Sequence, residues 1–223
     1  MFDDADAVAA DFEFLNVATS EPNTFAEAMA GPDAAAWLGG CEAEIYSLTQ
    51  KHKVWELTPL PPGRRAVGCR WMLKVKRDAA GEIERYKARL CAQGFSQRRG
   101  IDYFETFAPV MTKETLRVLI ALANERDLEC HTIDISTAFL HGELQEVIYM
   151  RQPPGFVAPG EEHKVCRLLK GLYGLKQSSR AWNTRLKAAL LKLGFARTET
   201  DHCLYIKGTG DDLMALGVHV DDI

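Results

Sequence analysis

The first 50 residues contain no lysine or arginine, although they carry ten aspartates and glutamates. The net charge of −4 therefore hides a split, since residues 51–223 hold all 27 basic residues against 21 acidic ones, a balance of +6. Cysteine is sparse and scattered, standing singly at 41, 69, 91, 130, 166 and 203 with no Cys-x-x-Cys pair. That spacing argues against a zinc ribbon or a disulfide framework and fits an intracellular chain with reduced thiols. No run of about 18 uninterrupted apolar residues occurs, so no transmembrane helix is expected. The acidic start lacks the basic-then-apolar pattern of a secretory signal. Internal repeats and low-complexity tracts are missing as well.

What is present is enough for a core. The chain has 223 residues, 47% of them hydrophobic, which allows one large domain or two small ones. Two tracts concentrate the positive charge. Residues 64–99 carry eleven Lys/Arg against three acids, and residues 163–192 carry eight and no acid. Together they point to a polyanion partner, while either tract alone reads equally well as a solvated basic face.

The pattern along the chain is mixed. Residues 1–21 read as an acidic flexible tail. Thr24 with Glu27 three residues on opens a short capped helix. A second helix spans roughly 33–49, with Trp37, Cys41, Ile45 and Leu48 on one face. After the break at Pro59, Pro61, Pro62 and Gly63, a strand at 66–77, a turn at 78–81 and a strand at 83–92 form a basic hairpin. Residues 93–112 are irregular. A helix is expected at 113–126 with Leu116, Leu119, Ile120 and Ala123 aligned, then strands at 128–135, 146–150 and 165–168. An amphipathic helix at 178–193 ends at Gly194; within it Arg180, Trp182 and Arg185 read as helix surface and core stripe. Strands at 203–207 and 213–220 form a last hairpin. Helices interspersed with antiparallel strands favour an α+β fold over a doubly wound sheet.

Carboxylates carry the chemistry. Asp221-Asp222 follow an apolar strand, and two adjacent like charges are costly unless a cation neutralises them. A strand tip of this kind is a candidate for hard divalent ions such as Mg²⁺; the plain alternative is a solvated turn, the reading given to Asp211-Asp212. Asp134 lies in an apolar strand, where a lone carboxylate is expensive to bury. Joined to Asp221 and Asp222, it makes a set of three that could hold two Mg²⁺ ions, the arrangement of nucleotidyl transfer.

These residues sit in an ordered series of motifs. The series runs Trp55-Glu56-Leu57, Arg70-Trp71-Met72-Leu73-Lys74-Val75-Lys76-Arg77, Glu84-Arg85-Tyr86-Lys87-Ala88-Arg89-Leu90 and Ala92-Gln93-Gly94-Phe95-Ser96-Gln97. It continues through Gly100-Ile101-Asp102-Tyr103, Glu105-Thr106-Phe107-Ala108-Pro109-Val110, Asp134-Ile135, Thr137-Ala138-Phe139-Leu140, Ile148-Tyr149-Met150 and Gln152-Pro153-Pro154-Gly155-Phe156. It ends with Leu172-Tyr173-Gly174-Leu175-Lys176-Gln177 and Val220-Asp221-Asp222. In these motifs the chain resembles the reverse transcriptase of copia-type retrotransposons, over about 22–223 and strongly over 54–223. His219, Ser179 and Cys91 depart mildly from that family's usual Tyr, Pro and Val.

The resemblance implies an α+β polymerase with fingers and a partial palm, an antiparallel sheet packed on helices. Residues 22–63 would be a helical lead-in, 64–126 the fingers-like region and 127–223 the palm. Asp134, Asp221 and Asp222 would hold two Mg²⁺ ions, with Mn²⁺ as a substitute. Ile135 and its neighbours would offer backbone N–H groups to the triphosphate. Phe139 would exclude a 2′-hydroxyl, although it also reads as plain core. Lys76, Lys87 and Arg89 would neutralise phosphate, and Lys176 and Gln177 would meet phosphate or base. The implied partners are an RNA or DNA template-primer and deoxynucleotides, inside a particle or the nucleus. The family continues with a thumb and a ribonuclease H domain that are absent here, so little or no activity is expected of this chain. The alternative is a catalytically dead nucleic-acid-binding remnant.

Overall fold

The computed structural model describes residues 21–223; nearly all of the expected acidic tail lies outside that range. Helix α1 (Phe25–Ala30) begins where Thr24 Oγ1 accepts the Glu27 N–H at 3.2 Å. Glu27 reaches back to the Asn23 N–H at 2.8 Å, one residue earlier than an ideal capping box. Helix α2 (Ala34–Tyr46) widens into a π turn at Ser47–Lys51. Trp37, Cys41 and Leu48 point from this segment into the core, as their spacing predicts.

Strand β1 (Trp55–Pro59) is followed by β2 (Ala66–Val67), β3 (Cys69–Arg77) and β4 (Ile83–Ala92). The expected strand at 66–77 is cut at Gly68, where the chain leaves one sheet for another. The Gly68 carbonyl is taken by the Gln93 N–H at 2.8 Å. Helix α3 (Lys113–Glu125), β5 (Glu143–Met150), β6 (Lys164–Lys170), α4 (Ser178–Lys192), β7 (Ala196–Arg197), β8 (Leu204–Lys207) and β9 (Met214–Gly217) complete the order. One sheet runs β1-β6-β5-β2, a hairpin is formed by β3-β4, and a small sheet runs β7-β8-β9.

The fold is mixed α and β with mainly antiparallel sheets, and two details differ from expectation. First, β2 pairs with β5 in parallel, Ala66 opposite Tyr149. Second, the expected strand at 128–135 is reduced to a single bridge at Asp134. An apolar segment becomes a strand only where a neighbour accepts its backbone groups, and among the described residues the neighbour alongside 133–135 is the short segment 221–223. Asp134 is accordingly exposed rather than buried.

Two apolar clusters hold the molecule together. The larger joins α1, α2, β1 and β3–β6 around Leu48, Val54, Leu90, Ile148, Met150, Cys166 and Leu172. The smaller joins α4 to β8 and the following turn through Trp182, Leu186, Leu190, Tyr205 and Val218. A single 3₁₀ turn, Ala138–His141, bridges them, with Ala138 and Phe139 in the smaller cluster and Leu140 in the larger.

Candidate active site

Strands β8 and β9 lead into a two-residue turn. His219 and Asp222 exchange both backbone hydrogen bonds, at 2.8 and 3.1 Å, leaving Val220 and Asp221 as its central residues. Val220 has φ 61°, the left-handed value that a primed hairpin turn demands of its first central residue. A β-branched residue adopts it only at a cost. The Trp182 indole N–H donates to the Val220 carbonyl at 2.7 Å.

Residues 133–135 run antiparallel to 221–223. The Ile135 N–H donates to Asp221 O at 2.9 Å, and Ile133 and Ile223 exchange bonds at 2.8 and 2.9 Å. Asp134 and Asp222 face each other across this bridge. They form the non-hydrogen-bonded kind of pair, whose Cα atoms lie about 4.5 Å apart with side chains on one face. Both are exposed, and Asp221 beside them is half-buried. Chain segments 88 positions apart thus bring Asp134 and Asp222 together, with Asp221 at the adjoining turn. Among the described residues, no three side chains of the metal-ligating types already converge on one point.

Tyr173 sits next to this edge. Its ring meets Phe139 edge-on, with centroids 4.9 Å apart, and the Arg89 guanidinium lies over it at 4.0 Å. Burial pushes the Tyr173 hydroxyl's pKa upward; Arg89 opposes that and Asp221 adds to it. The loop carrying Tyr173 docks tightly on the end of β4. Ala92 N–H donates to Tyr173 O at 2.8 Å, and a Cβ on Gly174, whose φ is +88°, would stand 2.1 Å from the Ala92 carbonyl. Only glycine allows that approach. Arg89, Phe139 and Asp221 therefore gather around one aromatic ring to which the sequence alone assigns no individual role. Its tell was position, since it opens the Tyr-Gly-Leu-Lys-Gln motif.

The hairpin cations alternate on one face. Met72 stands opposite Arg89, Lys74 opposite Lys87 and Lys76 opposite Arg85, while Trp71, Leu73, Ala88 and Leu90 fill the buried face. Lys76 lies towards the hairpin tip, and Arg89 lies over the Tyr173 ring, which Asp221 also influences. Burial lowers the Lys87 pKa, helped by Arg89, Arg85 and Lys76. Glu44 of α2, missed from sequence, accepts the Leu90 N–H at 3.2 Å on the open edge of β4. Burial pushes its pKa up, against that hydrogen bond and the pull of Arg89 and Lys87.

Lys176 and Gln177 part company. The Lys176 ammonium lies 5.5 Å from the centre of the Tyr103 ring. Gln177 is 3% exposed, donating to Asp102 O at 2.8 Å and accepting from Gln97 Nε2 at 3.0 Å. Gln97 in turn accepts the Lys176 N–H at 2.9 Å. This buried amide network ties the 94–102 loop to the start of α4.

Residues 52–223 match the family model described as reverse transcriptase (RNA-dependent DNA polymerase). The chain belongs to this family, in the branch found in copia-type transposons. It is 39% identical over 204 residues to the retrovirus-related Pol polyprotein from transposon TNT 1-94 of Nicotiana tabacum. It is 40% and 41% identical over 207 residues to those from transposons RE1 and RE2 of Arabidopsis thaliana. These matches cover 91–92% of the chain but only 14–15% of each polyprotein. No solved structure matches. Among the described residues, no helix is long and apolar enough to cross a membrane.

Proposed function

We propose that this chain carries the fingers and part of the palm of an RNA-directed DNA polymerase within a longer Pol polyprotein, adding deoxynucleotides to a primer 3′-end. The observation that carries this reading is the pairing of Asp134 with Asp222 across one bridge, with Asp221 at the adjoining turn. The donor set is all carboxylate oxygen and solvent-facing, which fits Mg²⁺ or Mn²⁺ and does not fit softer metals. Asp134, Asp221 and Asp222 would hold such ions, which when bound activate the attacking hydroxyl and stabilise the leaving pyrophosphate.

The remaining roles belong to the chain itself. Arg89, held over the Tyr173 ring, meets the triphosphate first, with Lys87 and Lys76 beyond it on the same face. Burial, and after it the neighbouring Arg89, Arg85 and Lys76, lowers the Lys87 pKa, and an incoming polyanion relieves the crowding of positive charge. The Ile135 N–H is spent on Asp221 O, so triphosphate contacts from this segment fall to residues after it. Phe139, edge-on to Tyr173, presents a ring beside the carboxylates that selects against a 2′-hydroxyl. The Gln177 amide is engaged inside the protein, so its part is to fix the loop that carries Lys176. The exposed basic face of β3–β4 carries template-primer phosphate with salt-sensitive affinity.

The test exchanges residues 52–223 for the matching segment of the tobacco polyprotein and measures extension of oligo-dT on poly-rA with Mg²⁺. Incorporation that Asp134→Asn abolishes supports the reading. Salt-dependent RNA binding that survives Asp134→Asn, without incorporation in either protein, identifies a binding remnant instead.

A further inference from the structure

Trp182 is 5% exposed and sits in the smaller core. A buried indole N–H requires an acceptor, and here the acceptor belongs to the aspartate turn. The carbonyl between the two central residues of a tight turn has no partner in the strand ladder. Val220's carbonyl is such a group, and Trp182 Nε1 donates to it at 2.7 Å. Beside this bond Val220, Trp182 and Ser179 line a cavity of about 330 Å³ shared with Phe107 and Pro109. Val220 meanwhile holds a left-handed φ of 61° that its β-branch disfavours.

Trp182 is itself held firmly. A Cβ on Gly142 would stand 2.6 Å from the Trp182 backbone N, so β5 begins pressed against this point of α4. The His141 ring lies 6.0 Å from the indole. A strained turn is thus tied to a fixed post by one hydrogen bond.

We infer that Trp182 is a positioning residue of the metal-binding turn: its indole N–H retains Val220 in the left-handed conformation that sets Asp222 opposite Asp134 and Asp221 beside them. The inference rests on the two-metal reading above only for its consequence, since the hold on the turn is a property of the polypeptide.

The experiment uses the 223-residue chain with two readouts, hydrogen exchange of the Asp222 amide and Mn²⁺ binding followed by electron paramagnetic resonance. Trp182→Phe keeps an aromatic ring but removes the donor. Losing one hydrogen bond is expected to speed Asp222 exchange about tenfold and to weaken Mn²⁺ by about as much. The amide of Tyr205, on β8 in the same core, is expected to keep its rate within about twofold. Val220→Gly removes the strain, so Trp182→Phe in that background is expected to change neither readout by more than about twofold. Unchanged Asp222 exchange in Trp182→Phe overturns the inference. So does Tyr205 exchange accelerated as much as Asp222, or an undiminished effect in the glycine background, because either shows a loosened core. Mn²⁺ binding that is missing, or that survives Asp134→Asn, defeats the two-metal reading instead and leaves the exchange result to decide on Trp182.

Discussion

The two apolar clusters close their interiors differently. In the larger one Leu48, Val54, Leu90, Ile148, Met150 and Leu172 are each 0% exposed, walled by two helices, a four-stranded sheet and a hairpin. In the smaller one α4 covers a short three-stranded sheet with Met111 and, from α3, Leu119 beside it, and Leu191, Leu193 and Met214 nearby remain 46–62% exposed. The carboxylate turn belongs to the looser region, whereas the cations facing it belong to the tighter one. The difference teaches that the rigid frame and the carboxylate edge are separate pieces of packing. They are joined at the Ala138–His141 turn and at the Tyr173-Gly174 contact with β4.

Measurements can break or sharpen this contrast. The largest effect is expected at the edge itself. Asp134→Asn in the chimaeric polyprotein should lower incorporation by roughly 10²–10³-fold or more. It should leave the urea midpoint of the 223-residue chain nearly unchanged, because an exposed surface substitution costs within about 0.5 kcal/mol. A large loss of stability would mean that the edge is part of the frame.

Core truncations come next. Ile148→Ala should cost towards the upper end of about 2–5 kcal/mol, and Leu186→Ala towards the lower end, since the looser wall collapses more easily into the space left. Equal costs in urea titrations would erase the distinction between the clusters.

Gly174→Ala strikes the joint. A left-handed φ and a Cβ driven against the Ala92 carbonyl should cost on the order of 1–3 kcal/mol and displace Tyr173. A lowered melting temperature, together with loss of the Tyr173–Phe139 ring contact in the NMR spectrum, checks it. The smallest effect concerns Glu44. Burial raises its folded pKa, so the folded state favours the protonated form. That contribution is fully present below its ordinary pKa of 4.5 and is lost as pH rises through the higher folded value. Glu44→Gln should therefore leave stability near pH 4 unchanged and raise it at pH 7 relative to the parent chain, as pH-dependent urea titrations would register.

Much of the fold was legible where pattern and partner are adjacent in sequence. The hairpin at 69–92 alternates a buried and a basic face, and its own return strand supplies the ladder, so local sequence was sufficient. Helix α4 and the Thr24 cap were legible for the same reason. The strand expected at 128–135 failed because apolar content says nothing of whether a neighbour exists. Strand β1 was missed because its partner, β6, lies far along the chain and Pro59 looked like a break; it closes the sheet as an edge strand, where proline is tolerated. Helix α3 shows the expected periodicity, yet Leu116 and Ile120 are 44% and 60% exposed, because amphipathic spacing specifies a face and not what covers it. The carboxylates were legible only through the ordered motifs. Glu44, the Gln97–Gln177 network and the tie from Trp182 to Val220 were not, since each depends on a contact between distant residues.

The pairing of β1 with β6 sets Trp55 against Leu168, roughly 110 residues later. A ribosome adding about 5–20 residues per second therefore leaves β1 waiting on the order of 5–20 s for its partner to be made. Through that interval Trp55 and Leu57 have no strand to pair with. The β3–β4 hairpin, by contrast, can zip within microseconds of emerging. Synthesis thus imposes an order of assembly: the basic hairpin forms early, and the four-stranded sheet closes only once Lys164–Lys170 has been made.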